Sequence, residues 1–212
     1  MIRYYGFELS TNAERVRLAM AHKGLKVDRV DIDPADRSEV RRVSGQDLVP
    51  VIVDGEGAQA KVVVDSMEIV RYLDERYPDK PLYPKDAARR AEMLIFIDWF
   101  NRVWKRPPNE MEAEMGKPSP DRARLERLGR AMTDALDLFE PMLAGREYLM
   151  GDFSAADCCA FPFLKYGLLG TAPGDDYLFH KILAEYQPIG KKHPRLSDWI
   201  RRMDRYPRWA SA

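Results

Sequence analysis

The sequence predicts an α/β domain of order β-α-β-α-β-β-α followed by an all-helical domain. Strand-like runs of β-branched and aromatic residues occur within residues 1–78. Residues 86–212 instead repeat apolar residues at three- and four-residue spacing, the period of helices that bury one face. Between them, the segment PDKPLYP contains three prolines and no helical period, so residues 79–85 are predicted to be a linker.

The elements of the first domain are predicted from strand composition, helix caps and turn residues. Ser, Thr and Asn are preferred at helix N-caps, Gly ends helices, and DGEG between two β-branched runs is typical of a hairpin. In chain order the prediction is strand 2–6, a helix from 10–12 to Gly24, strand 27–32, helix 35–43, strands 51–53 and 62–64 around the hairpin, and a helix from Ser66.

The second domain is predicted to consist of helices at 87–115, 120–143, 155–169, 177–189 and 194–206. Pro107-Pro108 should break the first of these locally, because proline lacks the N–H that an inner helical turn needs. Ser154-Ala-Ala-Asp157 has the spacing of a capping box, with Asp in the Glu/Gln position, and is assigned to folding.

Composition excludes several classes of function. The chain has 212 residues, of which 45% are hydrophobic and 32% charged, with 34 Lys plus Arg against 34 Asp plus Glu. Zero net charge gives no support to a nucleic-acid partner or an acidic membrane surface. No apolar run approaches the ~20 residues of a membrane span, and the N-terminus lacks the regions of a signal peptide. We therefore expect a cytoplasmic protein.

Metal and phosphate-loop chemistry is not expected. The two cysteines, Cys158 and Cys159, are adjacent, so no disulfide framework exists. The three histidines are far apart in sequence and have no cysteine pairing to complete a zinc site. Neither GxxxxGK[ST] nor GxGxxG occurs.

Two short motifs precede predicted elements. Val49-Pro50 stands at the start of the third strand, where a residue without an N–H is tolerated. A cis bond there would leave the Val49 main chain open to a ligand, although the residues alone favour an ordinary proline. Asp65-Ser66 precedes a helix that Ser66 is predicted to cap. That helix N-terminus suits a carboxylate and Asp65 an amine, as in the α-amino-acid end of a γ-glutamyl peptide.

Several segments in the right order resemble the cytosolic glutathione transferases. In the first domain these are IRYYGF, STNAERVRLAMAHKGL, LVPVIVDGEG and VVDSMEIVRYLDERYPDKPLYP. In the second, GDFSAADCCAFPFL resembles the family's capping segment and HPRLSDWIRRMDRYP its late helix. The resemblance covers nearly the whole chain. It implies a thioredoxin-like first domain, glutathione as co-substrate, no metal, a role in detoxification and a homodimer that buries parts of helices 66–76 and 87–115.

The resemblance also implies a glutathione site. The Val49–Pro50 bond should be cis, with the main chain of Val49 pairing with the cysteinyl unit and Asp65 and Ser66 holding the γ-glutamyl unit. The family often has Lys or Gln two residues before this proline, touching the glycine carboxylate, but this chain has Leu48. Leu48 is kept among the binding positions, and Gln46 or Arg41 is a candidate to compensate.

The activating group is expected at the start of the first helix. STNAERVRL resembles the CPFAERTRL-type start of the cysteine-bearing classes, with Ser10 at the cysteine position, and the serine-bearing classes also align there. Ser10 is therefore predicted to donate to the thiolate, with Asn12 and Thr11 as alternatives, although all three could merely cap the helix. Alternation assigns the tyrosines of the first strand, Tyr4 and Tyr5, to the two faces of the sheet.

A small hydrophobic electrophile should bind to the helical domain. Candidate contacts are Trp104, Arg106, Met111 and Tyr166, although a Met and aromatic stripe on a helix is more often core. The resemblance thus favours a glutathione transferase. Two alternatives stay open: a non-catalytic interaction module like the starvation-type regulators, and a glutathione-dependent isomerase of the maleylacetoacetate type.

Overall fold

The computed structural model describes residues 1–210, which form two compact units. The first contains residues 1–84 and 206–210, the second residues 85–205, and the predicted linker lies at the division. The sequence assigned residues 206–210 to the helical domain, yet they pack with the first unit. The Trp209 ring meets Tyr4 edge-on at 5.3 Å between centroids, and Arg208 Nε donates to Glu14 Oε1 at 2.8 Å. A short aromatic and charged tail gave no sequence signal for these contacts.

The first unit contains a four-stranded mixed sheet in the order β2-β1-β3-β4. Strand β1 is parallel to β2 and antiparallel to β3, and β3 is antiparallel to β4. The predicted order of elements is confirmed. The strands are β1 Ile2–Gly6, β2 Val27–Asp31, β3 Val51–Asp54 and β4 Lys61–Val64, and the helices are α1 Thr11–Lys23, α2 Ser38–Ser44 and α3 Ser66–Arg76.

Helix α2 begins three residues later than predicted, because two aspartates fold the preceding segment into turns. Asp33 Oδ1 accepts the Ala35 N–H at 2.8 Å, and Asp36 Oδ1 accepts the Ser38 N–H at 2.9 Å. Such side-chain bonds to the main chain compete with helix formation. Residues 35–37 therefore lie in turns and not in the helix that their charged composition predicted.

The tyrosines of β1 lie on opposite faces of the sheet, as alternation predicts. Tyr5 packs in a cluster with Ile32, Val40 and Val51. Tyr4 is equally buried, and its hydroxyl donates to the Ala13 carbonyl of α1 at 3.5 Å. Burial raises the pKa of Tyr4 well above its usual range, so this phenol stays protonated and belongs to the core.

The second unit is helical throughout its named elements, as predicted. The predicted helix 87–115 is interrupted by a π-helical turn at Phe100–Trp104, where the Lys105 N–H donates five residues back to the Phe100 carbonyl at 3.0 Å. Pro107 and Pro108 follow and cannot donate to the last carbonyls of that turn. The helices are α4 Ala87–Trp99, α5 Arg106–Met115, α6 Arg122–Ala135, α7 Phe139–Met142, α8 Ala155–Leu164, α9 Tyr166–Leu169, α10 Leu178–Tyr186 and α11 Pro194–Asp204.

The capping box at the start of α8 is confirmed. Ser154 is the N-cap, and its N–H donates to Asp157 Oδ2 at 2.9 Å. Within residues 1–210, no helix has the length and apolar character needed to cross a bilayer. The same residues hold no group of three or more His, Cys, Asp and Glu arranged to bind a metal ion.

Candidate functional site

The predicted binding segments meet at one end of the sheet. Ser10 follows β1, the Val49–Pro50 pair precedes β3, and the Asp65–Ser66 pair follows β4. Tyr5 near the end of β1 is opposite Val51 at the start of β3, which in turn is opposite Val64 at the end of β4. Antiparallel pairing therefore brings these three connections to the same edge.

Ser10 is the N-cap of α1. Its backbone is extended, its Oγ accepts the Ala13 N–H at 3.2 Å, and its own N–H donates to the Phe7 carbonyl at 3.2 Å. Capping uses only the acceptor capacity of the hydroxyl, so its hydrogen remains available to a ligand. The orphan N–H groups and dipole of α1 make this end positive. Of the alternatives, Thr11 is buried and Asn12 is half-buried.

The peptide bond between Val49 and Pro50 is cis, as the family resemblance predicts. Within residues 1–210, the Val49 N–H and C=O make no hydrogen bond to the protein. The side chain of Leu48 is 76% exposed. The two candidate substitutes for the missing Lys or Gln are engaged elsewhere, because Gln46 Nε2 donates to the Leu48 carbonyl at 2.8 Å and Arg41 Nε donates to Asp47 Oδ1 at 2.7 Å.

Asp65, and not Ser66 as predicted, caps helix α3. Asp65 Oδ1 accepts the N–H groups of Met67 at 2.9 Å and Glu68 at 3.2 Å. The φ of Asp65 is +66°, in a region that residues other than glycine rarely occupy. Such backbone conformations occur preferentially at functional sites. Ser66 is the first helical residue and is buried. Both residues favour an N-cap, so composition alone did not distinguish them.

Two arginines near the site were not singled out from the sequence. Arg15 of α1 is 2% exposed, and its Nη1 donates to Ser66 Oγ at 3.3 Å. Arg37, just before α2, lies with its guanidinium 4.7 Å from the Phe7 ring centroid. Arg37 Nη1 is buried without a hydrogen-bond partner in the described part of the chain. A charged residue at a core position of α1 was the available signal for Arg15, whereas nothing local marked Arg37.

The candidate electrophile contacts all lie in the helical unit, and three are core residues. Trp104 is 3% exposed and stacks on Phe100 at 4.4 Å between centroids. Tyr166 stacks on His180 at the same spacing. The remaining two differ in burial: Met111 is fully buried, whereas Arg106 is exposed and its Nε lies 2.6 Å from Glu110 Oε1. The role of all four in binding an electrophile stays a prediction.

Residues 5–81 match the family described as "Glutathione S-transferase, N-terminal domain". The chain is 37% identical over 95 residues to Glutathione S-transferase Z1 of Arabidopsis thaliana, covering 42% of this chain and 41% of the relative. It is 27% identical over 212 residues to Pyrimidodiazepine synthase of Drosophila melanogaster, covering 98% and 78%. It is 28% identical over 162 residues to the Stringent starvation protein A homolog of Coxiella burnetii, covering 76% and 73%. The chain thus spans about two fifths of the length of the plant relative.

Solved structures resemble the whole fold. A theta class glutathione S-transferase from Xanthomonas axonopodis pv. citri, solved with glutathione bound, has a TM-score of 0.72 at 22% identity, covering 98% of this chain and 94% of its own. A glutathione S-transferase from Rhodospirillum rubrum F11 has a TM-score of 0.73 at 25% identity, covering 99% and 90%. The likeness confirms the fold class, a thioredoxin-like sheet domain followed by a helical region.

Proposed function

Because the chain belongs to the cytosolic glutathione transferase superfamily, we propose that it binds glutathione and stabilises its thiolate for attack on a small hydrophobic electrophile. One observation carries the proposal. The hydroxyl of Ser10 caps a helix N-terminus at the same sheet end as the Val49 main chain and the Asp65–Ser66 pair. A thiolate needs a hydrogen-bond donor and a positive potential, and this end of α1 supplies both.

Three contacts hold the cysteinyl and γ-glutamyl units of glutathione. The N–H and C=O of Val49, which have no partner within residues 1–210, bind the cysteinyl unit as a strand would, and this fixes the thiol close to α1. The N-terminus of α3 and the Ser66 hydroxyl bind the α-carboxylate of the γ-glutamyl unit. The Asp65 carboxylate, which uses Oδ1 for its cap, accepts from the amine of that unit with its other oxygen.

In this proposal, Arg37 binds the glycyl carboxylate of glutathione. The buried Nη1 of Arg37 lacks a partner in the described part of the chain, and its guanidinium lies against Phe7 in the loop that leads to Ser10. Arginine is suited to carboxylates because its planar fork donates two parallel hydrogen bonds. Arg37 would therefore replace the Lys or Gln that is absent at Leu48.

Ser10 supplies the activation. Lowering a thiol pKa from ~8.5 by about two units requires ~2.7 kcal/mol. A hydrogen bond to a charged group contributes ~1.5–3 kcal/mol, to which the dipole of α1 adds. The thiolate then attacks the electrophile, for which Trp104, Arg106, Met111 and Tyr166 of the helical unit stay the candidate contacts. The protein acts as a cytoplasmic homodimer.

The first test is calorimetric titration with glutathione, followed by a conjugation assay with a panel of small aryl and alkyl halides. We expect glutathione binding that weakens in Ser66→Ala, measured at a temperature where the variant stays folded. Turnover should require glutathione and depend on Ser10. Failure to bind glutathione would refute the proposal at its first step.

The relatives support one second candidate, a binding module without turnover. The Coxiella relative is described as a stringent starvation protein, and Leu48 is an exposed apolar residue at a position where the family often touches glutathione. Glutathione binding without turnover across the halide panel would favour this candidate. The isomerase alternative is tested by offering maleylacetoacetate as the second substrate, although its Ser-Ser-Cys start is here Ser10-Thr11-Asn12.

A further inference from the structure

A buried arginine connects helix α1 to the turn that leads into Ser10. Arg17 of α1 is 2% exposed, and its Nη2 donates to the main-chain carbonyl of Glu8 at 2.6 Å. Its Nη1 donates to the Glu8 carboxylate. Glu8 lies inside the turn that the Ser10 N–H closes on the Phe7 carbonyl, 3.2 Å away. Arg17 therefore fixes the middle of the segment that ends at the Ser10 hydroxyl.

The tail, residues 206–210, contacts this arginine through Trp209. The Arg17 Cζ atom lies 5.9 Å from the centroid of the indole ring. Two further contacts hold the ring: the guanidinium of Arg29 lies 3.7 Å from its centroid, and Tyr4 meets it edge-on at 5.3 Å. Contacts of a cation or a ring edge with an aromatic face are favourable. All of these residues belong to the first unit.

The contact between Arg17 and Glu8 needs such packing to be effective. The Glu8 side chain is 74% exposed, and an ion pair between exposed side chains contributes little because both move and solvent screens them. The Arg17 side chain is only 3% exposed, and its Nε has no hydrogen-bond partner among residues 1–210. Packing against Trp209, together with the bonds to Glu8, therefore sets the position of the guanidinium.

We propose that Trp209 and Arg17 are positioning residues for Ser10, with the indole holding the guanidinium and the guanidinium holding the turn that places the serine hydroxyl. This inference rests on the proposed function and goes beyond it, because it gives the tail a part in thiol activation that requires no contact with glutathione. A hydrogen bond weakens steeply with distance and angle, so a small shift of the turn reduces activation. The contacts of the proposed site with the cysteinyl and γ-glutamyl units do not involve this turn.

The test measures the pKa of the glutathione thiol bound to Trp209→Ala, from thiolate absorbance as a function of pH. We expect this pKa to rise by about half a unit to one unit. Conjugation at about pH 5.5 should slow roughly 3- to 10-fold, because below its pKa the thiolate fraction falls tenfold per unit. Glutathione affinity, measured by calorimetry, should stay as in the wild type. Trp209→Phe keeps an aromatic face for the guanidinium and should restore the wild-type pKa.

Two further measurements separate positioning from general support of the fold. In a Ser10→Ala background, Trp209→Ala should cause no further rise of the thiol pKa, because the tail acts only through the hydroxyl. Tyr206→Phe is the matched control in the same tail. It removes a hydroxyl that lies 2.6 Å from His22 Nδ1, a contact that involves neither Arg17 nor Glu8. It should leave the thiol pKa and the conjugation rate as in the wild type.

Arg17→Met tests the second link and should raise the thiol pKa at least as much as Trp209→Ala, because it removes both bonds to Glu8. If Arg17→Met does not fold, as judged by near-ultraviolet circular dichroism, the Trp209 variants decide the question alone.

An unchanged thiol pKa in Trp209→Ala would overturn the inference, and so would a loss of glutathione affinity without a shift of this pKa. An equal rise in the Ser10→Ala background, or in Tyr206→Phe, would overturn it by showing that the tail only supports the unit as a whole. These results leave the proposed function standing if the wild type binds glutathione and Ser10→Ala raises the thiol pKa. No glutathione binding by the wild type would refute the proposed function itself, and the inference with it.

Discussion

At the residue scale, Ser10 combines a structural role with a proposed catalytic one. Its Oγ accepts the Ala13 N–H, and in the proposed site its hydrogen donates to the thiolate. We expect Ser10→Ala to raise the pKa of the bound thiol and to slow conjugation at neutral pH by roughly 10- to 150-fold, the loss of ~1.5–3 kcal/mol. Glutathione affinity should change little, since Val49, Asp65 and Ser66 supply most contacts in the proposed site. Thiolate absorbance as a function of pH measures the shift.

Loss of the helix cap in Ser10→Ala needs its own control. Asp86 is the N-cap of α4, and its side chain accepts the Arg89 N–H at 2.9 Å. Asp86→Ala should therefore cost about 1 kcal/mol of stability without touching the site. Thr11→Ala and Asn12→Ala test the alternative donors. A shift of the thiol pKa in either of these, with Ser10→Ala titrating like the wild type, would reassign the donor.

Arg37 carries a second prediction at this scale. If the guanidinium, whose Nη1 is buried, binds the glycyl carboxylate, Arg37→Met should weaken glutathione binding about 10-fold or more. The affinity for γ-glutamylcysteine, which lacks the glycyl residue, should not change. Arg41→Met is the matched control, because Arg41 is exposed and paired with Asp47. An equal loss for both ligands in Arg37→Met would show that Arg37 acts only on the Phe7 loop.

At the element scale, the sequence predicted the order of strands and helices but not every local boundary. Periodicity and cap residues are local signals, and they located the sheet, α1 between its caps Ser10 and Gly24, and the capping box of α8. The choice between Asp65 and Ser66 as the cap depends on a backbone turn with positive φ, which composition does not encode. The contact between Arg15 and Ser66 depends on the packing of α1 against α3 and is equally invisible locally.

The start of α8 gives a prediction for pH dependence. Asp157 is fully buried and accepts from the Leu149 N–H, the Ser154 N–H and hydroxyl, and Trp199 Nε1. Desolvation nevertheless raises the pKa of Asp157 from 3.8 to about 6. The folded state therefore binds a proton more tightly than the unfolded state, and the contribution of Asp157 to stability falls as pH rises from about 4 to about 6.

Asp157→Asn tests this sign, because asparagine does not titrate. The free-energy advantage of the wild type over the variant should shrink by up to about 3 kcal/mol across that pH range. Urea unfolding of both proteins at several pH values measures it, and groups common to both cancel in the difference. An advantage that instead grew with pH would mean that the four hydrogen bonds outweigh desolvation and lower the pKa.

At the scale of the whole molecule, sequence composition indicated where the two units divide, but it did not indicate that residues 206–210 pack with the first unit. The proline-rich segment at 78–84 marks the division between the units. The tail beyond α11 packs with the first unit, where the guanidinium of Arg29 lies 3.7 Å from the Trp209 ring centroid. Cation–π and edge-on aromatic contacts of this kind join residues about 180 or more positions apart, so no local pattern reports them.

The last prediction concerns assembly. Ile95 of α4 is 70% exposed and its neighbour Leu94 43%, an unusual exposure for large apolar side chains on adjacent positions of a helix. The expected homodimer buries part of this helix, and a stable interface requires about 1,200–2,000 Å² in total. Light scattering at micromolar concentration should give twice the 24.5 kDa of one chain.

Ile95→Glu should shift the protein toward the monomer, because a charge would be desolvated at the centre of an apolar contact. Leu138→Glu, at a residue 50% exposed outside the expected interface, should leave the mass unchanged. A monomeric wild type, or an Ile95→Glu variant as dimeric as Leu138→Glu, would contradict the prediction.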